Sequence, residues 1–140
     1  MLSPSEIRLG IIVVRTRHRH VLDVAADVYT PLLRGGCRES NIQMKSVPSD
    51  FDIALGVLFF AEYTEVDGVV VVGDGYDATV AKALLDLQIQ WNMPVEYRYE
   101  GAEIGDGCNI VEMVQLQSEM AADVPEEQRM PVTNRRENVN

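Results

Sequence analysis

Cysteine is scarce in this chain: Cys37 and Cys108 are the only two among 140 residues. Two distant thiols do not make a disulfide framework, so the fold must hold itself by its core. The expected state is a pair of reduced thiols in a cytoplasmic, intracellular protein. Long apolar runs are also missing. None approaches the ~20 residues that cross a bilayer, and Met1 to Arg8 lacks the apolar stretch of a secretory signal. Basic residues are outnumbered, 12 Lys and Arg against 22 Asp and Glu, for a formal net charge of −10. That balance argues against generic binding to nucleic acid or to an anionic membrane. Apolar residues, by contrast, make up 46% of the chain, enough to exclude global disorder. A chain of this length fits one domain that buries roughly two-thirds of its unfolded surface.

The apolar pattern alternates between two periods. Leu9 to Val14 and Val66 to Val72 are continuous β-branched runs, as expected of strands buried on both faces in a parallel sheet. Asn41 to Val47 is a more polar strand, expected nearer an edge, and Val95 to Tyr99 is a short fourth strand. Between them Val21, Val24, Ala25, Val28 and Leu32 recur at helical spacing. Gly35-Gly36 is the stop, and Pro31 is expected to kink or shorten the last turn. Val80, Ala83, Leu84, Leu87 and Trp91 form a second stripe, and Ile110, Met113, Leu116 and Met120 a third. Phe51 to Glu62 is apolar nearly all round, which predicts a helix buried on two sides, the second side being a neighbouring subunit. Trp91 and the methionines are read as core. The domain is expected over residues 8–121, with a short arm at 1–7 and a polar, mobile tail at 122–140.

Strand-helix alternation predicts a three-layer αβα sandwich, a four-stranded parallel sheet with helices on both faces joined by right-handed crossovers. Ligands in such sheets bind where the strands end. Four loops meet there: Arg15–His20, Pro48–Asp52, Gly73–Asp77 and Glu100–Gly107. The first is basic and the other three acidic. An anion site made by arginines near a helix N-terminus is one reading. Solvated turns whose charges offset one another are the other, and exposed charge clusters usually contribute little. His18 and His20 have an H-x-H spacing, but neighbouring arginines repel a cation, so no metal is expected. Gly73-Asp74-Gly75 lacks the spacing of a P-loop or dinucleotide fingerprint and reads as a tight turn. Cys108 near the last helix has no histidine beside it in sequence and reads as inert.

Several segments, in order and spacing, resemble the lumazine synthase family over about Arg8 to Met120. Val14-Arg15-Thr16-Arg17 stands where the family has S-R-F-N after its first strand. Val47-Pro48-Ser49-Asp50-Phe51-Asp52-Ile53-Ala54 matches V-P-G-A-F-E-L-P. Tyr63 to Gly73 matches the Y-D-A-V-I-A-L-G strand, Thr79 to Leu84 the E-V-S-K-G-L helix, and Asn92-Met93-Pro94-Val95 the G-V-P-V segment. The last helix resembles the family's closing W-E-A-A-L-A-A-L-E-M. The resemblance implies a transferase of riboflavin biosynthesis that condenses a ribitylaminouracil with a dihydroxybutanone phosphate. It implies a flavodoxin-like strand order, 2-1-3-4, no metal, no cofactor and a homo-oligomer, a pentamer in the family. It also implies a pyrimidine- or flavin-like ligand held by Arg15, Thr16, Arg17, Pro48, Ser49, Asp50, Phe51, Asp52, Gly73 and Thr79.

The same alignment shows departures. The stacking aromatic of S-R-F-N is Thr16, which has no ring to offer a pyrimidine. Asp52 is one methylene shorter than the acid that accepts the ribityl hydroxyls, and Ser49-Asp50 replaces Gly-Ala. The segment from Gly73 to Thr79 is shorter than the family's by roughly ten residues, a large loss where connections average about 4–6. No histidine follows Asp77-Ala78-Thr79, so the general acid–base is gone, and Asn109 stands where the phosphate-binding lysine belongs. No catalytic residue is therefore assigned. The expectations are a family member with weak or lost synthase activity, a non-catalytic assembly subunit or flavin-like-ligand binder, or an active synthase.

Overall fold

The structure is a computed structural model that describes residues 2–15, 20–99 and 109–125. Four strands, β1 (Leu9–Val14), β2 (Ile42–Val47), β3 (Gly68–Gly73) and β4 (Val95–Tyr99), form one sheet in the order β2-β1-β3-β4. Every pairing is parallel. The helices are α1 (Val21–Arg34), α2 (Ile53–Tyr63), α3 (Ala78–Trp91) and α4 (Asn109–Ala122). This is the expected α/β architecture and strand order. The order reverses between β1 and β3, so the cleft belongs beyond the carboxyl ends of those strands.

Side chains alternate across the sheet with the period of two that a strand imposes. Leu9, Ile11, Val13 and Val70 meet α1 and α4 through Val24, Val28, Leu32, Ile110 and Val114. Ile12, Val14, Val69 and Val71 meet α2 and α3 through Ile53, Val57, Phe60 and Leu84. Ile7, ahead of β1, is fully buried in the first of these clusters. β1 and β3 are buried almost throughout, whereas β2, at the edge, alternates between half-buried and exposed residues.

Some boundaries differ from the sequence expectation, each for a local reason. α1 runs through Pro31 to Arg34, because the Pro31 carbonyl still accepts from the Gly35 amide at 2.9 Å. It ends as expected at the glycine pair: the Cys37 amide donates to Leu32 and the Gly36 amide to Leu33, with Gly36 at φ 103°. β2 begins at Ile42 instead of Asn41, whose side chain donates to the Ser5 carbonyl at 3.0 Å. The helix expected from Phe51 starts at Ile53; Asp50–Asp52 is a 3₁₀ turn closed by the Asp52 amide on the Ser49 carbonyl. β3 starts at Gly68, since the Asp67 amide is taken by the Arg8 carbonyl, and it includes Gly73, which pairs with Tyr99.

The last helix corrects a core expectation. Ile110 and Val114 are its buried residues, whereas Met113, Leu116 and Met120 are exposed. The Gln117 amide donates to the Asn92 carbonyl, which lies before β4 begins. The second half of α4 has therefore run past the amino end of the sheet, where no strand lies beneath it. There Met113, Leu116 and Met120 line a groove of about 620 Å³ with Ile89, Met93 and Pro94. Of the residues read as core, Met93 is fully buried and Trp91 is half-buried.

Candidate ligand site at the carboxyl edge of the sheet

β1 hands the chain to Arg15, whose amide donates to the Val47 carbonyl at 2.9 Å and so extends the ladder beyond the strand. The Arg15 side chain is exposed and its Nε lies 3.4 Å from the Ser46 hydroxyl. Thr16, Arg17 and His18 lie outside the described residues, as do Glu100–Gly107 and Cys108. His20 caps α1: its Nδ1 accepts from the Leu22 amide at 3.1 Å. An accepting Nδ1 carries no proton, so the ring proton sits on Nε2 and the imidazole is committed to the helix end.

β2 leads into Pro48-Ser49-Asp50-Phe51-Asp52. The Ser49 hydroxyl donates to the Asp52 carboxylate at 2.9 Å, which closes the turn on itself. Phe51 is 94% exposed, the most open large apolar side chain among the described residues. The Asp50 carboxylate reaches the Asp74 amide at 3.5 Å and so faces the turn after β3. Among the described residues no hydrogen bond or ion pair joins Arg15 to Asp50 or Asp52. The structure thus brings Asp50 to the β3 turn and leaves Arg15 on the β1–β2 side.

The β3 turn is held from below. Gly73 is buried, and a Cβ there would stand 3.1 Å from the Tyr97 ring. Its missing side chain makes room for Tyr97, which gives the glycine a packing role. Tyr97 donates to the Gly75 carbonyl and accepts from the Asp77 amide, both at 3.1 Å. Asp77 in turn caps α3, accepting from the amides of Thr79 at 2.9 Å and Val80 at 3.1 Å. Thr79 is exposed on the first turn of that helix. Asp77 therefore serves here as the cap of α3.

Sequence reasoning missed the aromatic group at this edge. Tyr76, Tyr97 and Tyr99 form a triangle with ring centroids 5.2, 5.2 and 6.2 Å apart. The signal was present: tyrosines two apart at the end of a strand share a face, and Tyr76 follows the glycine turn that folds over them. Burial pushes the Tyr97 phenol above its ordinary value. The charges of Asp50 and Asp77 and the Tyr76 phenol add to the rise, and the hydrogen bond from the Asp77 amide partly opposes it.

A raised phenol means that the folded state holds its proton more tightly than the unfolded chain does. Its contribution is therefore complete below pH about 10 and is lost as pH rises through the folded-state value. Tyr97→Phe should cost about 1–2 kcal/mol at neutral pH, since two backbone partners lose their bond. It should also flatten the alkaline fall in stability, as read from urea midpoints at neutral pH and above pH 10. An unchanged alkaline slope would contradict the assignment.

Among the described residues no three His, Cys, Asp or Glu side chains are grouped so as to hold a metal ion. No described helix is long and apolar enough to cross a membrane. Compared with known proteins, the chain matches no family model and no curated protein, so its resemblance to the lumazine synthases stands on the sequence motifs above.

Proposed function

We propose that this chain is a lumazine-synthase-like protein with weak or lost synthase activity, keeping half of a site for a pyrimidine- or flavin-like ligand within a homo-oligomer. The observation that carries the reading is the fate of the corner at Asp77–Thr79. Its carboxylate and amides are spent on capping α3, and the one described imidazole, His20, is spent on capping α1. Neither can relay a proton to a reacting carbonyl without giving up a helix end. The opposite wall supports retention of a ligand: Phe51 offers a free ring face and Asp52 a carboxylate beside it. Stacking and hydroxyl acceptance need those two groups.

The assay is direct. The purified protein is given 5-amino-6-ribitylaminouracil and 3,4-dihydroxybutanone 4-phosphate, and lumazine absorbance and fluorescence are followed. The expected result is no product above the uncatalysed rate. Riboflavin or the lumazine itself should bind, and Asp52→Ala should weaken that binding by about tenfold, the loss expected when a hydroxyl acceptor is removed. Clear turnover abolished by Asp52→Ala would establish an active synthase and overturn the reading.

A specific observation favours an assembly role beside ligand binding. Phe51, Leu55, Phe59 and Tyr63 recur every fourth residue along α2 and its preceding turn, and all four are exposed. Glu62 is the only charged residue of that helix. Such a stripe on a free surface is the mark of an interface. A second copy is the occupant that the family resemblance supports. The buried, free thiol of Cys37, raised by that burial, accords with a cytoplasmic protein.

A further inference from the structure

The tyrosine triangle at the end of β3 and β4 is larger than the turn it supports requires. Tyr97 alone closes that turn, through both hydrogen bonds of its hydroxyl. Tyr76 makes no hydrogen bond among the described residues and is 61% exposed, yet its ring is held against both neighbours, at 6.2 Å from Tyr97 and 5.2 Å from Tyr99. The rings are inclined to one another by 31°, 59° and 59°, so they form a compact aromatic cluster and not one flat stack. A group seated about 4 Å off the plane of the three centroids lies about 5 Å from each, inside the ~6 Å reach of a cation–π contact.

The surroundings set the sign of the charge. Asp50 and Asp77 both act electrostatically on Tyr97. The Asp50 carboxylate lies 3.5 Å from the Asp74 amide, and Asp74 is exposed beside it. The ion pairs formed among the described residues are Arg8 with Glu65, Lys82 with Asp86 and Arg98 with Glu96, so none neutralises these three carboxylates. An aromatic cluster with described carboxylates beside it repels a phosphate and attracts an organic cation. A bare metal ion is a poor fit, because the capping bonds engage Asp77 and the tyrosines supply faces instead of ligand atoms.

We propose that Tyr76, Tyr97 and Tyr99, with Asp50, form a site for a ligand bearing a quaternary or methylated ammonium group. The site is separate in chemistry from the Phe51–Asp52 wall and does not depend on the flavin-like reading. Choline and tetramethylammonium chloride are the probes, titrated into the full chain with tyrosine ring resonances followed by NMR. The neutral isostere 3,3-dimethylbutan-1-ol is the control. Both cations should bind saturably at millimolar concentration, with shifts confined to the three tyrosines, and the neutral alcohol should not.

Tyr76 is exposed, so its variants should stay folded. Tyr76→Leu keeps apolar area but removes the ring and should weaken choline binding by about fivefold. Tyr76→Phe keeps the ring and should bind within about twofold of the native chain. Asp50→Asn should weaken binding and reduce its salt dependence. The proposal is overturned if neither cation saturates, if the neutral alcohol binds as well as choline, or if Tyr76→Leu leaves affinity unchanged. Riboflavin binding is measured on the same samples; its loss without loss of choline binding would strike only the flavin-like reading.

Discussion

Phe60→Ala should remove about 3–5 kcal/mol of stability, read as a lower urea midpoint with an unchanged slope. Phe60 is fully buried and lies between α2 and the sheet, in the cluster with Ile12, Val57, Val69 and Val71. Its ring rests on Gly10 of β1: a Cβ at that glycine would stand 2.9 Å from three atoms of the ring. The absence of a side chain at Gly10 is what lets α2 approach the sheet. Gly56 on α2 repeats the device from the other side, where a Cβ would meet the Ile12 side chain at 2.8 Å. Gly10→Val should thus overpack the same contact and cost about 1–3 kcal/mol or more. Placed together, Gly10→Val and Phe60→Leu should cost less than the sum of the two single changes, because they act on one volume. Against a total of about 5–15 kcal/mol for a domain, the loss in Phe60→Ala alone is a large share. Additive costs in the double variant would show that the two residues do not share this contact.

Leu55→Glu with Phe59→Glu should abolish the proposed self-association without changing the far-ultraviolet spectrum. Leu55 is 69% exposed and Tyr63 70%, while Val57, Phe60 and Ala61 on the other side of the same helix fill the core. With Phe51 and Phe59 the stripe leaves on the order of 500 Å² of side-chain surface in water. That is at the upper end of what monomers expose and more than half of what one side of a standard interface buries, ~800 Å². Two carboxylates at its centre would have to be desolvated unpaired, which costs more than such a contact returns. Native mass spectrometry and light scattering across a concentration series are the readouts. A native chain that stays monomeric at all concentrations would remove the assembly role and leave the stripe without an occupant.

The helix α2 illustrates how far the residue pattern reaches. An all-apolar run predicts burial on two sides, but the single chain can bury only one. Which residues face outward follows from where the helix sits over Gly10 and Ile12, not from its composition. The α4 stripe of Met113, Leu116 and Met120 misleads for a similar reason. Helical periodicity identifies one face of the helix, yet the sheet ends before that face is covered, and Ile110 with Val114 take the core instead. The carboxyl edge was legible in part. Strand ends placed Asp50 and the β3 turn together, while the tyrosine triangle joins residues from two elements that only strand pairing aligns.

By itself the sequence determined the alternation of strands and helices and the parallel sheet, while its order was expected from the family resemblance. Unbroken β-branched runs and short crossovers leave few other ways to satisfy the backbone. Only the tertiary structure decided that Asp77 and His20 are helix caps. A carboxylate or imidazole at a loop-to-helix junction has the same composition whether it meets a ligand or an orphan amide. The distance to that amide, near 3 Å for both residues, is set by how the backbone turns into the helix two or three residues on, which the folded structure displays and residue type alone does not.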